Sequence, residues 1–493
     1  MLRTKVDAQP SLWETFLPPE VNALPSGLEA IDRLLDDSAF FVPFVLHFDP
    51  EIGRPSIPME TYLRMIFLRF RYRLGFDTLC REVADSLSWR RFCRIGITDR
   101  VPHPTTLLKI TARCGEDAIG ALNQTLLQKT VAEKLIKVDK LRADTTVVQA
   151  NVAYPTDSPL LAKGVAKLAR TVAAIKAAGL APRTRFRNRT RSVRRRAHDI
   201  GAWLRRRSGE AEDEVLVLTA ELARIAQCSM TDAQAVVTNA RRALRQGRQV
   251  SGRAKALVAE LEHTISVVER LVAQARSRID GDMPEGASRL VSLHDTDARP
   301  IRKGRLDRPV EFGYKAQIVD NAQGVVLDHQ VTMGNPPDAP MLVPAVKRVV
   351  KLVGRIPRAV TADRGYGEAA VDDQLAELGV KTVAIPRKGR PGKKRQELER
   401  SRRFRRLVKW RTGAEGRISH LKHAWGMERT LLDGITGART WCGWGVIAHN
   451  AVKIADLVDD RDCRRAVRVQ RTGVDSAPRP PPRHPPPDAH HLV

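Results

Sequence analysis

The sequence has few cysteines and no long hydrophobic run, and both absences exclude classes of protein. Its six cysteines lie far apart with no C-x-x-C pair, so neither a disulfide framework nor a zinc site is indicated. The longest apolar run, residues 39–48, contains Pro43 and falls short of the ~20 residues that a membrane-spanning helix needs. The N-terminus lacks the basic-then-apolar order of a signal peptide. We therefore expect a soluble, cytoplasmic protein.

Acidic residues are scarce relative to basic ones. The chain of 493 residues has 84 Lys and Arg against 56 Asp and Glu, a net charge of +28. This excess is more than solubility requires, and it predicts a polyanionic partner because clustered Lys and Arg gain affinity by releasing phosphate counterions. Apolar residues make up 42% of the chain, which excludes wholesale disorder and allows two or three domains.

The N-terminal part divides into an arm and a helical region. Residues 1–40 carry spaced prolines and weak periodicity, so we predict a loosely ordered arm. Apolar residues then recur at helical spacing from Met59 to Phe70, with arginines between them, and predict a helical domain over residues 41–130. This domain either binds DNA through its arginines or serves as a packing unit, and the pattern leaves both interpretations open.

A long insertion rich in Ala, Leu and Arg follows over residues 155–287. Apolar residues from Leu257 to Ala275 step by three and four, which predicts an amphipathic helix able to pair with another. Between Arg183 and Arg207 there are 11 arginines in 25 residues. A charge run is often only a solvated face. Because this run has one sign and is dense, we predict phosphate contacts there, at Arg194, Arg195 and Arg196.

Residues 131–154 and 288–460 have the pattern of a mixed α/β sheet. Residues 138–149 predict a strand, and residues 312–319 with 325–332 predict a hairpin. Two short buried strands, 359–361 and 382–385, are separated by a predicted helix over 369–378. The final segment, residues 461–493, is basic and rich in proline, and predicts a disordered tail.

Three acids in this α/β part are candidates for chemistry. Asp144 lies within a predicted strand, Asp363 closely follows another, and Glu415 lies on a predicted helix. Two aspartates on neighbouring strands and a glutamate on a helix can converge on a pair of Mg²⁺ ions, ~4 Å apart, that catalyse phosphodiester chemistry. Taken singly, each Asp is more often a turn former or a surface acid.

The predicted helix around Glu415 carries two basic residues in phase with it. At 100° per residue, Arg411, Glu415 and Lys422 lie within an arc of about 40° on one helix face. An ordinary surface ion pair explains Arg411 and Glu415. The functional interpretation is that Glu415 completes a metal site while Arg411 and Lys422 hold flanking DNA phosphates.

These residues resemble a known family. The spacing Arg411-(x3)-Glu415-(x6)-Lys422 is similar to the R-E-K part of the Y-R-E-K signature of bacterial insertion-sequence DDE transposases. Residues 142–158 resemble that family's first catalytic-Asp segment, and residues 361–367 resemble its second. Residues 312–316 and 334–338 resemble intervening landmarks. The helical region over 41–130 resembles the N-terminal domain common in these enzymes.

The resemblance implies a fold, an activity and partners. It implies a ribonuclease-H-like catalytic core, with Asp144, Asp363 and Glu415 as metal ligands and catalytic residues. The cofactor would be two ions of Mg²⁺ or Mn²⁺. The activity would be cleavage at terminal inverted repeats and transfer of a 3′-hydroxyl into target DNA. The partners would be double-stranded DNA and a second copy of the chain in a synaptic complex, at the nucleoid.

The sequence departs from the family pattern in two places. The signature tyrosine would fall at residue 408, where this chain has valine, with Trp410 and Phe404 nearby. The insertion over 155–287 follows the first catalytic strand, and we expect it to bind DNA or a second protomer. Two alternatives remain: a catalytically inactive DNA-binding descendant, and a structure-selective nuclease on the same core.

Overall fold

A computed structural model describes residues 1–6, 16, 18, 23–153, 156–206, 208–246, 251–303 and 309–474. Its centre is a mixed sheet of six strands: β1 (Lys140–Gln149), β2 (Arg299–Arg302), β3 (Val310–Asn321), β4 (Val326–Met333), β5 (Ala359–Ala362) and β6 (Thr382–Ala384). β1 is central, antiparallel to β3 and parallel to β5, and β6 continues the parallel part. β2 and β4 both pair antiparallel with β3. The predicted α/β sheet is confirmed.

Side chains alternate between the two faces of the sheet along each strand, and each face is covered by a different hydrophobic cluster. Ala143 of β1 and Val319 of β3 belong to one hydrophobic cluster, together with α11 (Ala339–Val353) and α12 (Ala369–Glu377). Val148 of β1 and Ile318 of β3 belong to a larger cluster on the opposite face. The sheet is therefore buried on both sides, as the sequences of its short parallel strands predict.

The larger cluster joins the sheet to the N-terminal helices and to the last helix. These helices are α1 (Ser26–Leu35), α2 (Val42–Val45), α3 (Met59–Arg71), α4 (Phe76–Asp85), α5 (Leu87–Phe92), α6 (Pro104–Ala132) and α16 (Gly434–Val474). Part of the predicted loose arm is therefore helical. Leu28, Ile31 and Leu35 step by three and four and are buried, and this packing stabilises α1. Residues 7–15, 17 and 19–22 of that arm lie outside the described residues.

The insertion forms a helical bundle with a hydrophobic cluster of its own. Its helices are α7 (Asp157–Ala177), α8 (Thr190–Trp203), α9 (Gly209–Arg245) and α10 (Gly252–Ile279). α10 contains the predicted amphipathic stretch and packs on α9 and α7. Asp157 at the start of α7 accepts from Gln274 (2.6 Å) and pairs with Arg278 (3.0 Å), both near the end of α10. The two ends of the bundle are thereby held together.

Four helices close the C-terminal part: α13 (Lys393–Arg400), α14 (Arg402–Arg411), α15 (Gly413–Ala424) and α16. The single helix predicted to carry Arg411, Glu415 and Lys422 is two helices, with a break at Thr412. α16 continues to Val474, past the predicted start of the tail at residue 461, and Arg461 pairs there with Glu133 of the segment after α6. Residues 475–493 lie outside the described part. Among the described residues, no helix has the length and apolarity to span a bilayer.

Candidate active site

Asp144 and Asp363 lie side by side on the parallel part of the sheet. Ala143 of β1 and Ala362 of β5 are register partners, and the two aspartates are the next residues on each chain. Asp144 continues along β1, while β5 ends at Ala362 and Asp363 begins a 3-10 turn over Arg364–Tyr366. Since neighbouring strands lie about 4.8 Å apart, the sheet register alone places these carboxylates together.

Both carboxyls are harder to ionise than an exposed aspartate. Burial raises the pKa of Asp144 to about 6, and the nearby carboxylates of Asp363 and Glu415 act in the same direction. Burial also raises the pKa of Asp363, with the carboxylate of Asp338 as the next cause. Oδ1 of Asp363 is buried and has no hydrogen-bond partner in the described part of the chain. The pair is a concentration of poorly compensated negative charge.

Arg411 lies between the third acid and the first. Its Nη1 is 3.4 Å from Oδ2 of Asp144, and its Nη2 is 3.5 Å from Oε1 of Glu415. Arg411 is the last residue of α14 and Glu415 lies in the first turn of α15, so the break at Thr412 is part of the site. The side chain of Glu415 is 70% exposed, so it can change rotamer without disturbing the core.

The structure adds Asp338 and Lys315 to this site, and the sequence analysis did not select either. Oδ1 of Asp338 accepts from Thr145 at 3.1 Å and pairs with Lys315 at 2.6 Å. A Cβ on Gly365 would lie 2.9 Å from Oδ2 of Asp338 and 3.0 Å from Oδ1 of Asp363, so these two oxygens are close neighbours. The sequence signals were the segments 312–316 and 334–338, which contain Lys315 and Asp338 and resemble family landmarks.

Lys422 lines a groove between α15 and the end of α3. The groove has a volume of about 210 Å³, and its other charged lining residues are Arg69, Arg73, Arg429 and Glu428. Nη1 of Arg73 donates to the carbonyl of His423 at 2.9 Å, which ties the turn after α3 to α15. Lys422 is therefore placed among other cations, whereas Arg411 is placed among the acids.

The three predicted DNA-binding arginines of the insertion differ in their surroundings. Arg194 and Arg195 on α8 are exposed. Arg196 is half-buried and pairs with Glu221 at 2.6 Å. Arg194 also lines a cavity of about 690 Å³ between the insertion and the segments 151–153 and 291–294, and Lys163 and Arg170 line it as well. Arg207, the last residue of the predicted cluster, lies outside the described residues.

The carboxylate oxygens of this site are suitable ligands for a hard divalent cation, although they are not gathered around one point. Within the described ranges, no three His, Cys, Asp or Glu side chains are close enough to hold a metal ion. The half-buried Asp144 and Asp363 are carboxylates, the ligands that Mg²⁺ prefers, and Oδ1 of Asp363, which lacks a hydrogen-bond partner, would gain one.

Two family models match the chain. Residues 18–113 match a model described as a transposase domain (DUF772), and residues 288–451 match a transposase DDE domain. Neither the curated proteins nor the solved structures contain a match to this chain. The second range covers β2 to β6 together with Asp363 and Glu415, and its sheet with flanking helices confirms the predicted ribonuclease-H-like core. β1 and the insertion lie between the two matched ranges.

Proposed function

Because the chain belongs to the DDE transposases of insertion sequences, we propose that it cuts DNA at the terminal inverted repeats of its element. It then transfers the 3′-hydroxyl ends into target DNA. The observation that supports this most directly is the adjacency of Asp144 and Asp363 on parallel strands, with Glu415 linked to Asp144 through Arg411. This enzyme class requires two aspartates and a glutamate in that chain order.

Asp144, Asp363 and Glu415 would hold two Mg²⁺ or Mn²⁺ ions. When bound, such ions lower the pKa of the attacking water or hydroxyl and stabilise the leaving oxygen of the phosphodiester. Asp144 is supplied by β1, Asp363 by the turn that follows β5, and Glu415 by α15. Since the two half-buried aspartates lie beside each other, a bound cation would relieve the repulsion between their charges.

Arg411 has a second task in this proposal. Its guanidinium offsets part of the charge of Asp144 and Glu415 in the free protein. When cations occupy the carboxylates, the same guanidinium is positioned for a DNA phosphate, for which its planar fork is suited. Lys422 would contact the flanking strand from the basic groove that it shares with Arg73 and Arg429.

The insertion would contact DNA beyond the cut. Arg194 and Arg195 are exposed, and the cavity that Arg194 lines is also lined by the basic residues Lys163 and Arg170. Arg196 is the least available of the three arginines, because it is paired with Glu221. Deleting residues 160–285 tests this part: the proposal requires weaker DNA binding or weaker self-association, and unchanged values for both would refute it.

Two copies of the chain would join both element ends in a synaptic complex at the nucleoid. Two ends must be held together for concerted joining, and a homodimer provides one active site for each. Light scattering of the protein with and without a duplex bearing the element end tests this. A single copy on paired ends would contradict it.

The experiment that tests the activity is cleavage of a labelled duplex bearing the element's own end, with Mg²⁺ or Mn²⁺. We expect a metal-dependent nick at the end, then joining to a second DNA, both lost in Asp363→Asn. The control is Asp373→Asn, an exposed aspartate of α12, which should cleave like the wild type. Binding without cleavage would favour an inactive DNA-binding descendant. Cleavage without joining would favour a structure-selective nuclease.

A further inference from the structure

A buried arginine on the strand of Asp144 contacts the junction between α14 and α15. Arg142 lies two residues before Asp144 on β1, and because side chains alternate along a strand, both lie on one face of the sheet. Its Nε and Nη2 donate to Oδ1 and Oδ2 of Asp320 at 2.6 and 2.8 Å. Arg142 and Asp320 are register partners across β1 and β3, and both are buried. The guanidinium is therefore fixed by a bidentate ion pair.

The remaining nitrogen of Arg142 reaches the end of α14. Nη1 donates to the backbone oxygen of Trp410 at 3.0 Å, and Cζ lies 4.9 Å from the centre of the Trp410 ring. Trp410 lies in the last turn of α14, where the backbone carbonyls take their donors from beyond the helix, and the N–H of Thr412 also reaches this oxygen. Arg142 adds a side-chain donor and a cation–π contact at the same residue. The C-terminal end of α14 is thereby tied to β1.

The start of α15 packs against the same guanidinium. A Cβ built on Gly413 would lie 2.3 Å from Nη1 of Arg142, which is well inside van der Waals contact. Gly413 has no positive φ angle, so glycine is needed here for space rather than for backbone conformation. One turn later, Nε of Arg417 reaches Oδ2 of Asp320 at 3.3 Å. Both helices at the junction are thus anchored to one buried ion pair.

We infer that Arg142, held by Asp320, is a positioning residue that fixes the α14–α15 junction so that Arg411 and Glu415 lie against Asp144. Arg411 directly follows Trp410, and Glu415 lies between Gly413 and Arg417, so both residues lie inside the anchored stretch. Arg142 acts through Trp410 and Gly413 rather than on DNA. The inference rests on the proposed function for the reaction that would be measured, whereas the placement of the junction is a property of the fold.

The test uses Gly413→Ala, which keeps every charge and displaces the junction. We expect the single-turnover rate of end cleavage to fall roughly a hundred-fold, the effect of a displacement of about 1 Å in an active site. The affinity for end DNA should stay within about two-fold, because the basic groove and α8 are untouched. Arg142→Lys is the second variant. It keeps the charge but cannot hold both Asp320 oxygens and the Trp410 carbonyl, and it should lower the same rate.

A spectroscopic measurement separates positioning from general destabilisation. With fluorotryptophan incorporated, the ¹⁹F resonance of Trp410, assigned with Trp410→Phe, should shift or broaden in both variants in the absence of DNA. The matched control is Arg348→Met with Asp328→Leu, which removes another bidentate pair, between α11 and β4 (2.7 Å at both contacts), and should change neither the resonance nor the cleavage.

Three results would overturn the inference. One is an unshifted Trp410 resonance in both variants, which would show that Arg142 and Gly413 do not hold the junction. Another is a moved resonance with unchanged cleavage, which would show that the junction does not matter for the reaction. The third is an equal loss in the control pair. If the wild type cleaves no DNA, the proposed function fails, but the resonance still decides whether Arg142 positions the junction.

Discussion

At the scale of single residues, Asp144 is an acid whose ionisation the fold opposes. Burial raises the pKa of its carboxyl from 3.8 to about 6, so between these two pH values the folded chain holds a proton that the unfolded chain has lost. The contribution of Asp144 to stability therefore falls as the pH rises through this window, and above pH 6 the penalty is complete. Such a penalty is common where a site is built to bind a cation.

Asp144→Asn should remove this penalty. In the presence of a chelator at pH 7.5, we expect the free energy of unfolding to rise by about 1–3 kcal/mol, because a shift of one pKa unit corresponds to about 1.4 kcal/mol. At pH 4 the variant and the wild type should unfold alike. Urea denaturation at the two pH values measures both differences. A variant that is less stable than the wild type at pH 7.5 would show that the charge of Asp144 is compensated in the fold.

At the scale of elements, α1 is held to α3 by a buried arginine. The side chain of Arg64 on α3 is fully buried, and it pairs with Asp32 at 2.9 Å and with Asp36. Both aspartates lie at the end of α1, and both also pair with Arg94. An ion-pair network therefore holds the end of this helix in addition to its apolar packing.

Arg64→Met should destabilise the protein by about 3 kcal/mol, because removing this buried cation leaves the half-buried Asp32 and the buried Glu60 with less compensation. Arg33→Met is the matched control. Arg33 on α1 is 61% exposed and pairs with Asp459, and exposed pairs contribute about 0–1 kcal/mol. Thermal unfolding of both variants compares them. Equal melting temperatures would mean that the Arg64 network does not hold α1.

The sequence predicted the strands better than it predicted the contacts between helices. Alternation and β-branched residues indicated β1, β3, β4, β5 and β6 to within a few residues, since these patterns are local. The break at Thr412 was missed, and the residue that contacts both of its sides, Arg142, is far away in the chain. Lys315 lay within the landmark 312–316 but was not selected, because its contact with Asp338 joins two segments that the sequence does not show to be adjacent.

At the scale of the whole molecule, the excess of basic charge should set the salt dependence of DNA binding. Each phosphate contact contributes about 0.9 to the slope of log K against log salt. We expect Arg194→Ala with Arg195→Ala to reduce this slope by about 2. Arg196→Ala should reduce it less, since Glu221 already neutralises Arg196. Titrations by fluorescence anisotropy at several salt concentrations measure the slopes, and equal slopes for all variants would place the DNA elsewhere.

The contacts of Asp157 with Gln274 and Arg278, near the end of α10, have a consequence for how the chain folds. β1 must pair with β3 and β5, yet more than a hundred residues of insertion separate them, and closing a flexible loop of that length costs conformational entropy. Because the insertion has its own hydrophobic cluster, it can fold first, as it leaves the ribosome. Once Asp157 meets Gln274 and Arg278, the strands are joined by what is in effect a short connection. For the pairing of the strands, the folded insertion then adds little more loop-closure entropy than a short connection would.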